Sequence, residues 1–478
     1  MTGKKTSISQ MAVKAMGIFG GVQMLGILCS VVRTKLVALW IGSVGVGLFG
    51  LFNNALEMLN IATNLGVRSS SVRDISQAGE SGNVSLLARI VAVVRRWSLW
   101  LGLGGATLTL ALSPALSRFT FGDQDHIWGF VALSVAVLLM ALTNGEQAIL
   151  QGTGKLRRLA TSTLWGTLGG LLISIPMFYW LRERSVVPSI VAYAGCNALA
   201  AWLLRNRDFS PTRLSARETA KMGTGFVRLG IYMTIGNFAS LLAAYVFNAW
   251  LNHRGGTSEV GFYQAGYTLI NKYTGLLFTA LGMEYYPRLA AVSQSATRLR
   301  VFVSQEVNVA MMVLAPVAVL FILLREPIVW LLYSSEFNVI LPYVAWGMVG
   351  MVFRALSWCM AFVILARGDG RTYVVTETIS AVASVILSMV CYTWWGITGL
   401  GVAFVLWYAF YTVLVAVVYV RRYRLTLSIG SLASTAWTLT VALAALTAME
   451  CQVWWAALAV AVVAVVTAWR LFRMNWRR

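Results

Sequence analysis

The chain has 478 residues, 58% of them hydrophobic and only 12% charged, yet it carries a formal charge of +21. With a mean hydropathy of +0.73 and about half the charge density of an average soluble domain, it is excluded from the soluble enzymes. Five cysteines without a CxxC pair and two histidines argue against a disulfide framework or a zinc site.

Fourteen apolar runs are long enough to cross a bilayer. The first, 11–39, follows Lys4, Lys5 and Lys14 as a signal peptide would, but its apolar region runs to Trp40, too far for one. It carries Arg33 in its last third, with Lys35 close by. The second, 46–66, holds Asn53, Glu57, Asn60 and Asn64, and Arg68 follows in step. Steps of three and four put all five on one helical face. Polar groups are costly in hydrocarbon, so this face is expected to line a hydrophilic cavity, with helix–helix hydrogen bonding as the alternative.

Spans three to six run 88–112, 127–150, 159–180 and 187–204; the fourth carries Asn144, Gln147 and Gln151, with Glu146 adjacent. The turn Gly152-Thr153-Gly154-Lys155 falls short of a phosphate loop and reads as a tight hairpin. Span seven, 228–251, is polar at Asn237 and Asn248, with Asn252 just beyond. Span eight, 261–283, sets Gln264, Tyr267 and Asn271 on one face, with Lys272 beside them. Spans nine and ten are 307–332 and 341–366, and Arg354 sits in the middle of the tenth without a charged neighbour in sequence. It requires an anionic partner, either Glu57, Glu146 or Glu377 as an ion pair, or a ligand phosphate whose oxygens suit the guanidinium fork. Span eleven, 374–392, aligns Glu377, Ser380, Ser384 and Ser388; spans 398–420, 428–448 and 453–472 complete the chain.

With the N-terminus inside, 26 of the 38 Lys and Arg fall in inside segments and 5 in outside loops, which places both termini in the cytoplasm. That asymmetry against anionic membrane lipid accounts for the +21 with no nucleic acid involved. Outside loops are too short for a glycan-assembling enzyme, and no inside segment can fold an ATPase domain. A transporter or channel remains. Val46-Gly47-Leu48-Phe49 returns as Val260-Gly261-Phe262-Tyr263, and the turn at Gly152 returns as Gly368-Asp369-Gly370-Arg371, at offsets of 214 and 216. The expected fold is an all-α polytopic membrane protein with two parallel six-helix lobes. Residues 1–222 form the first lobe with its linker, 223–420 the second, and 421–478 two further helices. The offset of 214 sets Glu57 against Asn271.

The segments LWIGSVGVGLFGLFNN, NLGVRSSSVRDIS, EVGFYQAGYTLINKYTGLLFTALGMEYYPRLA and ILARGDGRTYVVTETIS resemble the Wzx-type polysaccharide flippases of the multidrug/oligosaccharidyl-lipid/polysaccharide (MOP) exporter superfamily. They cover spans one, two, eight, ten and eleven in the family's order, and the similarity extends more diffusely over residues 10–420. The resemblance implies a V-shaped, MATE-like transporter in the bacterial inner membrane, without enzymatic activity or cofactor. Such proteins move undecaprenyl-pyrophosphate-linked oligosaccharide, such as an O-antigen repeat unit, to the periplasmic leaflet by alternating access. Glycosyltransferases and a polysaccharide polymerase are the implied partners. Arg33, Lys272, Arg354 and Lys35 would be the substrate-binding cations of the central cavity. Asn53, Asn60, Asn64, Arg68, Gln147, Gln264, Tyr267 and Asn271 would line it. Glu57, Glu146 and Glu377 are the candidates for coupling to a proton or Na+ gradient. The family often has an acidic residue near the end of span seven, where this chain reads FNAWLNHR. A cation-coupled drug or metabolite exporter and a flippase of peptidoglycan lipid precursor are the alternatives.

Overall fold

The structure, a computed structural model, describes residues 8–80, 83–209 and 214–476, which form helices joined by short turns and contain no strand. The first helices are α1 (Ile8–Trp40), α2 (Ser43–Asn64), α3 (Val67–Glu80) and α4 (Val84–Phe121). Then follow α5 (Ile127–Gly152), α6 (Leu156–Leu181), α7 (Val186–Leu203) and α8 (Ala216–Gly255). After α9 (Thr257–Thr268), a π-turn at Leu269–Tyr273 leads into α10 (Thr274–Val292). The remainder is α11 (Ala296–Leu323), α12 (Arg325–Leu332), α13 (Leu341–Ala366), α14 (Gly370–Val417), α15 (Ile429–Glu450) and α16 (Trp454–Trp476).

Among the described residues, eight helical stretches meet the length and hydropathy of a membrane span. Two of them, Leu156–Leu203 and Gly370–Arg422, are 48 and 53 residues long, twice the ~20 residues a bilayer needs. Each reverses at a left-handed residue, Arg182 (φ 50) or Gly396 (φ 58), and so contributes two crossings. With α1, α8, the α9–α10 pair and α16, the arrangement matches the fourteen expected spans.

The chain packs as two compact units, Met1–Val260 and Gly261–Arg478. In the first, α8 packs against α2, α3 and α4. Tyr245 on α8 pairs its hydroxyl with Thr120, and Asn252 Nδ2 donates to the Thr120 carbonyl at 3.0 Å. The unit therefore runs past residue 222 and takes in the helix expected to open the second lobe. Asn248 is equally structural, donating to the Ala244 carbonyl at 2.7 Å. In the second unit, α15 docks on α11 through a hydroxyl seam. Ser431 donates to the Ser304 carbonyl at 3.0 Å and Ser434 to Asn308 Oδ1 at 2.7 Å. Such bonds hold helices together where the solvent is as apolar as the side chains.

One expectation fails locally. The stripe on α2 does not continue to Arg68, because Leu65 (φ 47) and Gly66 (φ 65) break the helix and α3 restarts on its own axis. Arg68 is exposed on α3, an amphipathic helix whose buried residues are Val67, Ser70, Ser71, Ile75 and Ala78. Gly66 is required twice over. Its φ disfavours any side chain, and a Cβ would lie 2.5 Å from the carbonyl oxygen of Gly230, where α8 crosses the elbow.

The backbone carries the repeat more clearly than the residues do. α5 and α13 begin and end 214 positions apart, and α6 and α14 begin at that same separation. Gly42 (φ 84) matches Gly256 (φ 83), Gly154 (φ 70) matches Gly368 (φ 70), and Arg182 matches Gly396, again at 214. The two hairpin turns share their backbone bonds. Gly154 N–H donates to the Gln151 carbonyl at 3.1 Å and Lys155 N–H to Leu150 at 2.9 Å; Gly368 donates to Leu365 at 2.9 Å and Asp369 to Ile364 at 3.1 Å. The turns are also latched alike with charge reversed. Lys155 pairs with Asp208, and at the matching positions Asp369 pairs with Arg422 Nε at 2.8 Å.

Candidate functional site

In unit 1, α1, α2, α5 and α7 enclose a cavity of about 250 Å3. Helical spacing aims three residues of α2 into it: Phe49, Asn53 and Glu57, each one turn from the next. α5 contributes Met140, Thr143 and Asn144, and α7 contributes Tyr193 and Asn197. Asn197 donates to the Tyr193 carbonyl at 2.9 Å and packs on α6 where Gly166 leaves room for it. α1 supplies Arg33. Its guanidinium carbon lies 4.7 Å from the Phe49 ring centroid and 5.0 Å from that of Tyr193, a cation held between two π faces. Its Nε is buried and has no hydrogen-bond partner among the described residues. Leaving such a donor unmet costs about 1–3 kcal/mol.

In unit 2 the corresponding cation comes from another helix. Arg354 on α13 occupies the position 214 residues after Met140. It donates from Nη1 to Asn271 Oδ1 at 2.6 Å, and its guanidinium carbon lies 5.3 Å and 5.5 Å from the Phe278 and Tyr408 ring centroids. Within unit 2, Glu377 is not its partner; that carboxylate accepts from the Tyr411 hydroxyl. The partner is a neutral amide, which leaves the positive charge uncancelled among the described residues. Asn271 is brought to Arg354 by the π-turn at Leu269–Tyr273, whose extra residue rotates the face that α9 began. Beside it, Tyr263 stacks on Tyr343 with centroids 6.2 Å apart, and Tyr267 packs on Tyr263.

Several expected residues lie elsewhere. Glu146 is occupied by Arg95, which donates to its two oxygens at 2.7 and 3.1 Å and also to the Asn206 carbonyl at 2.9 Å. This bidentate pair ties α4 to α5 and to the segment after α7, and it removes Glu146 from the cavity. Asn60 and Asn64 bond one another at 2.6 Å. Gln147 is buried on α5, Lys35 is half-buried on α1, and Gln264 is half-buried on α9. Lys272 is exposed in the π-turn. Glu377 accepts from the Tyr411 hydroxyl, and Ser380 accepts from Trp407 Nε1 at 2.9 Å. The stripe on the first half of α14 therefore faces its second half. The side chain of Asn237 lies outside the described residues. Sequence reasoning missed Tyr193 and Asn197; the signal available was a lone amide in the apolar run VPSIVAYAGCNALAAW.

The signature of the polysaccharide biosynthesis protein family matches residues 86–342. The lipid III flippases of Escherichia coli (strain K12) and Shigella flexneri are each 24% identical over 362 residues, covering 72% of this chain and 82% of theirs. Among solved structures, an inward-facing multidrug resistance MATE family transporter of the MOP superfamily aligns with a TM-score of 0.67 at 17% identity, over 82% of this chain and 92% of that one. The lipid II flippase MurJ, in an inward closed conformation, aligns with a TM-score of 0.66 at 12% identity, over 98% of this chain and all of that one. These likenesses establish the fold, and the second extends through α15 and α16.

Proposed function

The chain belongs to the polysaccharide biosynthesis protein family, and from that premise we propose that it flips a lipid-linked oligosaccharide across the bacterial inner membrane. The observation that carries this reading is Arg33, a membrane-embedded guanidinium with an unmet buried donor at the head of a polar cavity. Arginine's fork matches phosphate oxygens, and an undecaprenyl-pyrophosphate carrier presents them at the depth where such a cation is costly to keep alone. Asn53, Asn144 and Asn197 add amides suited to sugar hydroxyls. In unit 2, Arg354 offers a second cation with its charge intact. The polyprenyl tail stays in the bilayer while the head group changes sides by alternating access. Of the three coupling candidates, Glu57 is assigned the exchangeable proton or cation, since it shares the cavity with Arg33, whereas Glu146 is neutralised by Arg95. The cargo proposed is an O-antigen-type repeat unit.

The test is lipid mass spectrometry on the native host after depletion of the protein. Accumulation of a pyrophosphate-linked oligosaccharide with loss of its surface polymer supports the reading and identifies the sugar. Accumulation of a peptidoglycan precursor moves the assignment to that substrate. Unchanged lipid-linked pools refute the flippase reading and favour an exporter.

A further inference from the structure

Unit 1 has a second cavity, of about 330 Å3, where α3, α4 and α8 meet. That volume lies at the lower end of the range for small-molecule sites. Asp74, Gln77 and Ala78 line it from one face of α3, and Leu86, Ile90 and Val93 from one face of α4; Met222 of α8 closes the third side. Ile90, Val93 and Met222 also pack on the buried core of Ile75, Val91, Val94 and Leu214, so the apolar wall is continuous with that core. Gln77 and Leu86 are exposed and mark the open side. The surrounding helices are tied together. Trp97 Nε1 donates to the Thr219 carbonyl at 3.0 Å, joining α4 to α8, and Ser76 Oγ to the Gly152 carbonyl at 3.3 Å, joining α3 to the end of α5.

Asp74 is the charged side chain of this lining, and among the described residues its carboxylate has neither a hydrogen bond nor a cation within ion-pair distance. It is half-buried, which pushes its carboxyl above the usual carboxylate range against the charge of Arg73. Of the neighbouring charges, Glu218 accepts from the Ser215 N–H at 2.8 Å, Arg96 donates to the Leu214 carbonyl and to Thr219, and Arg73 and Arg89 are exposed. The repeat shows what an internal partner here looks like. Asp74 and Ile75 match Arg288 and Leu289 at the 214-residue separation, and Ile75 and Leu289 are both fully buried. Arg288 is paired with Glu284, one turn earlier, at 2.6 Å. The place of Glu284 is held in unit 1 by Ser70, which donates to the Gly66 carbonyl at 3.1 Å. Unit 1 therefore lacks the internal counter-charge, and its acid lines a cavity instead. A bare divalent ion, which wants six or more oxygens, would find one carboxylate and one amide. A cationic head on an apolar chain fits both the acid and the walls, since an ammonium donates to carboxylate and amide oxygens alike.

We infer that this cavity binds an amphipathic primary amine, with its ammonium on Asp74 beside Gln77 and its chain against Leu86, Ile90, Val93 and Met222. The site is separate from the cavity of Arg33 and takes the opposite charge. An aminophospholipid head group can supply this chemistry, or a soluble long-chain amine can.

The experiment uses the full chain in a neutral detergent. Native mass spectrometry measures binding of phosphatidylethanolamine and of phosphatidylglycerol with the same acyl chains, and a thermal-shift titration compares octylamine with octanol. Asp74→Asn, which keeps the shape and removes the charge, is expected to weaken the amine by about tenfold and to leave phosphatidylglycerol unchanged. Ile90→Trp, which fills the cavity from a half-buried position, is expected to weaken the amine at least as much. Glu80→Gln, an exposed acid on α3 outside the cavity, is the control and is expected to bind as the wild type does. Phosphatidylethanolamine binding with this dependence identifies a lipid head group. Octylamine binding with the same dependence, without phosphatidylethanolamine binding, identifies a soluble ligand. The inference is overturned if neither amine binds, if Asp74→Asn leaves the amine unchanged or lowers phosphatidylglycerol equally, or if binding survives Ile90→Trp, which puts the amine outside the cavity.

Discussion

Asn271→Asp separates a structural role for Arg354 from a role in holding an anion. The side chain keeps its shape, but the Oδ1 that now accepts from Arg354 Nη1 at 2.6 Å becomes part of a carboxylate. At a charge separation of ~4 Å and an effective dielectric of about 20, the added attraction is about 4 kcal/mol. It replaces a charged–neutral hydrogen bond worth about 1.5–3 kcal/mol. Desolvating the new carboxylate costs several kcal/mol, so the net change in folding stability is expected to stay within about 1 kcal/mol. The effect on an incoming anion is larger. It must now displace an internal partner, losing up to about 4 kcal/mol, which corresponds to between ten- and a thousandfold in affinity once screening is counted. Flux of lipid-linked glycan in proteoliposomes is therefore expected to fall at least tenfold, while thermal stability by fluorescence-detected size exclusion is unchanged. Asn271→Ala, which leaves the cation in place, is expected to lose less than tenfold. A stable Asn271→Asp protein with wild-type flux would refute the reasoning, because Arg354 would then need no free charge.

Further outcomes follow from the same geometry. Arg33→Gln is expected to abolish flux without lowering membrane abundance, as it removes a donor that has no partner among the described residues, and quantitative immunoblotting beside the flux assay checks both halves. Glu146→Gln is expected to lower the melting temperature and abundance, and Arg95→Gln in the same chain to add little further, since the two act as one bidentate pair; non-coupled single effects in the thermal series would contradict it. Gly66→Ala is expected to destabilise by about 2–5 kcal/mol, from a left-handed φ and the overlap with the Gly230 carbonyl, read as loss of monodisperse protein on heating. Partial burial works against the Asp369 carboxylate, but its bonds from Thr372 and Tyr423 and the charge of Arg422 outweigh that and hold its pKa below the usual carboxylate range. Its stabilisation is therefore present above the unfolded carboxylate pKa and lost as pH falls through the lower folded value. Asp369→Asn should flatten the acid limb of a melting-temperature profile. Lys155→Asp is expected to lower the melting temperature, and adding Asp208→Lys to restore it, as the inverted pair already works at Asp369 and Arg422.

Spans, their order and the shared face of Asn53 and Glu57 were legible because each rests on local periodicity: long apolar runs for the first, a four-residue step for the last. Arg68 was misplaced for the same reason. Periodicity assumes one axis, and Gly66 looked like an ordinary helical glycine until the crossing with Gly230 gave it a left-handed φ. Glu146 read as a cavity acid because its partner Arg95 lies 51 positions away, on a helix whose own pattern gives no cue to that contact. Tyr193 and Tyr408 were invisible as site residues. An aromatic in an apolar span matters only once a cation is known to lie over it, and Arg33 and Arg354 reach them from distant segments.

The repeat makes the difference between the two units informative. At matched positions unit 1 has Met140 and Glu57 where unit 2 has Arg354 and Asn271, so neither the acid of unit 1 nor the base of unit 2 has a charged counterpart. Duplication alone would have given each unit the same pair, which would cancel itself internally. Instead unit 2 has an amide at the place of the acid and its base on α13, while unit 1 has the acid and takes its base from α1, whose Arg33 has Phe247 as its counterpart. Each unit thus presents a guanidinium between two rings, delivered from non-equivalent helices, with an unmet donor in one and an amide partner in the other. A purely structural cation would be expected to retain an ion-pair partner in both, because an unpaired charge in hydrocarbon is the costlier state. Neither cation has a carboxylate within ion-pair distance among the described residues, which supports the anionic head group proposed above.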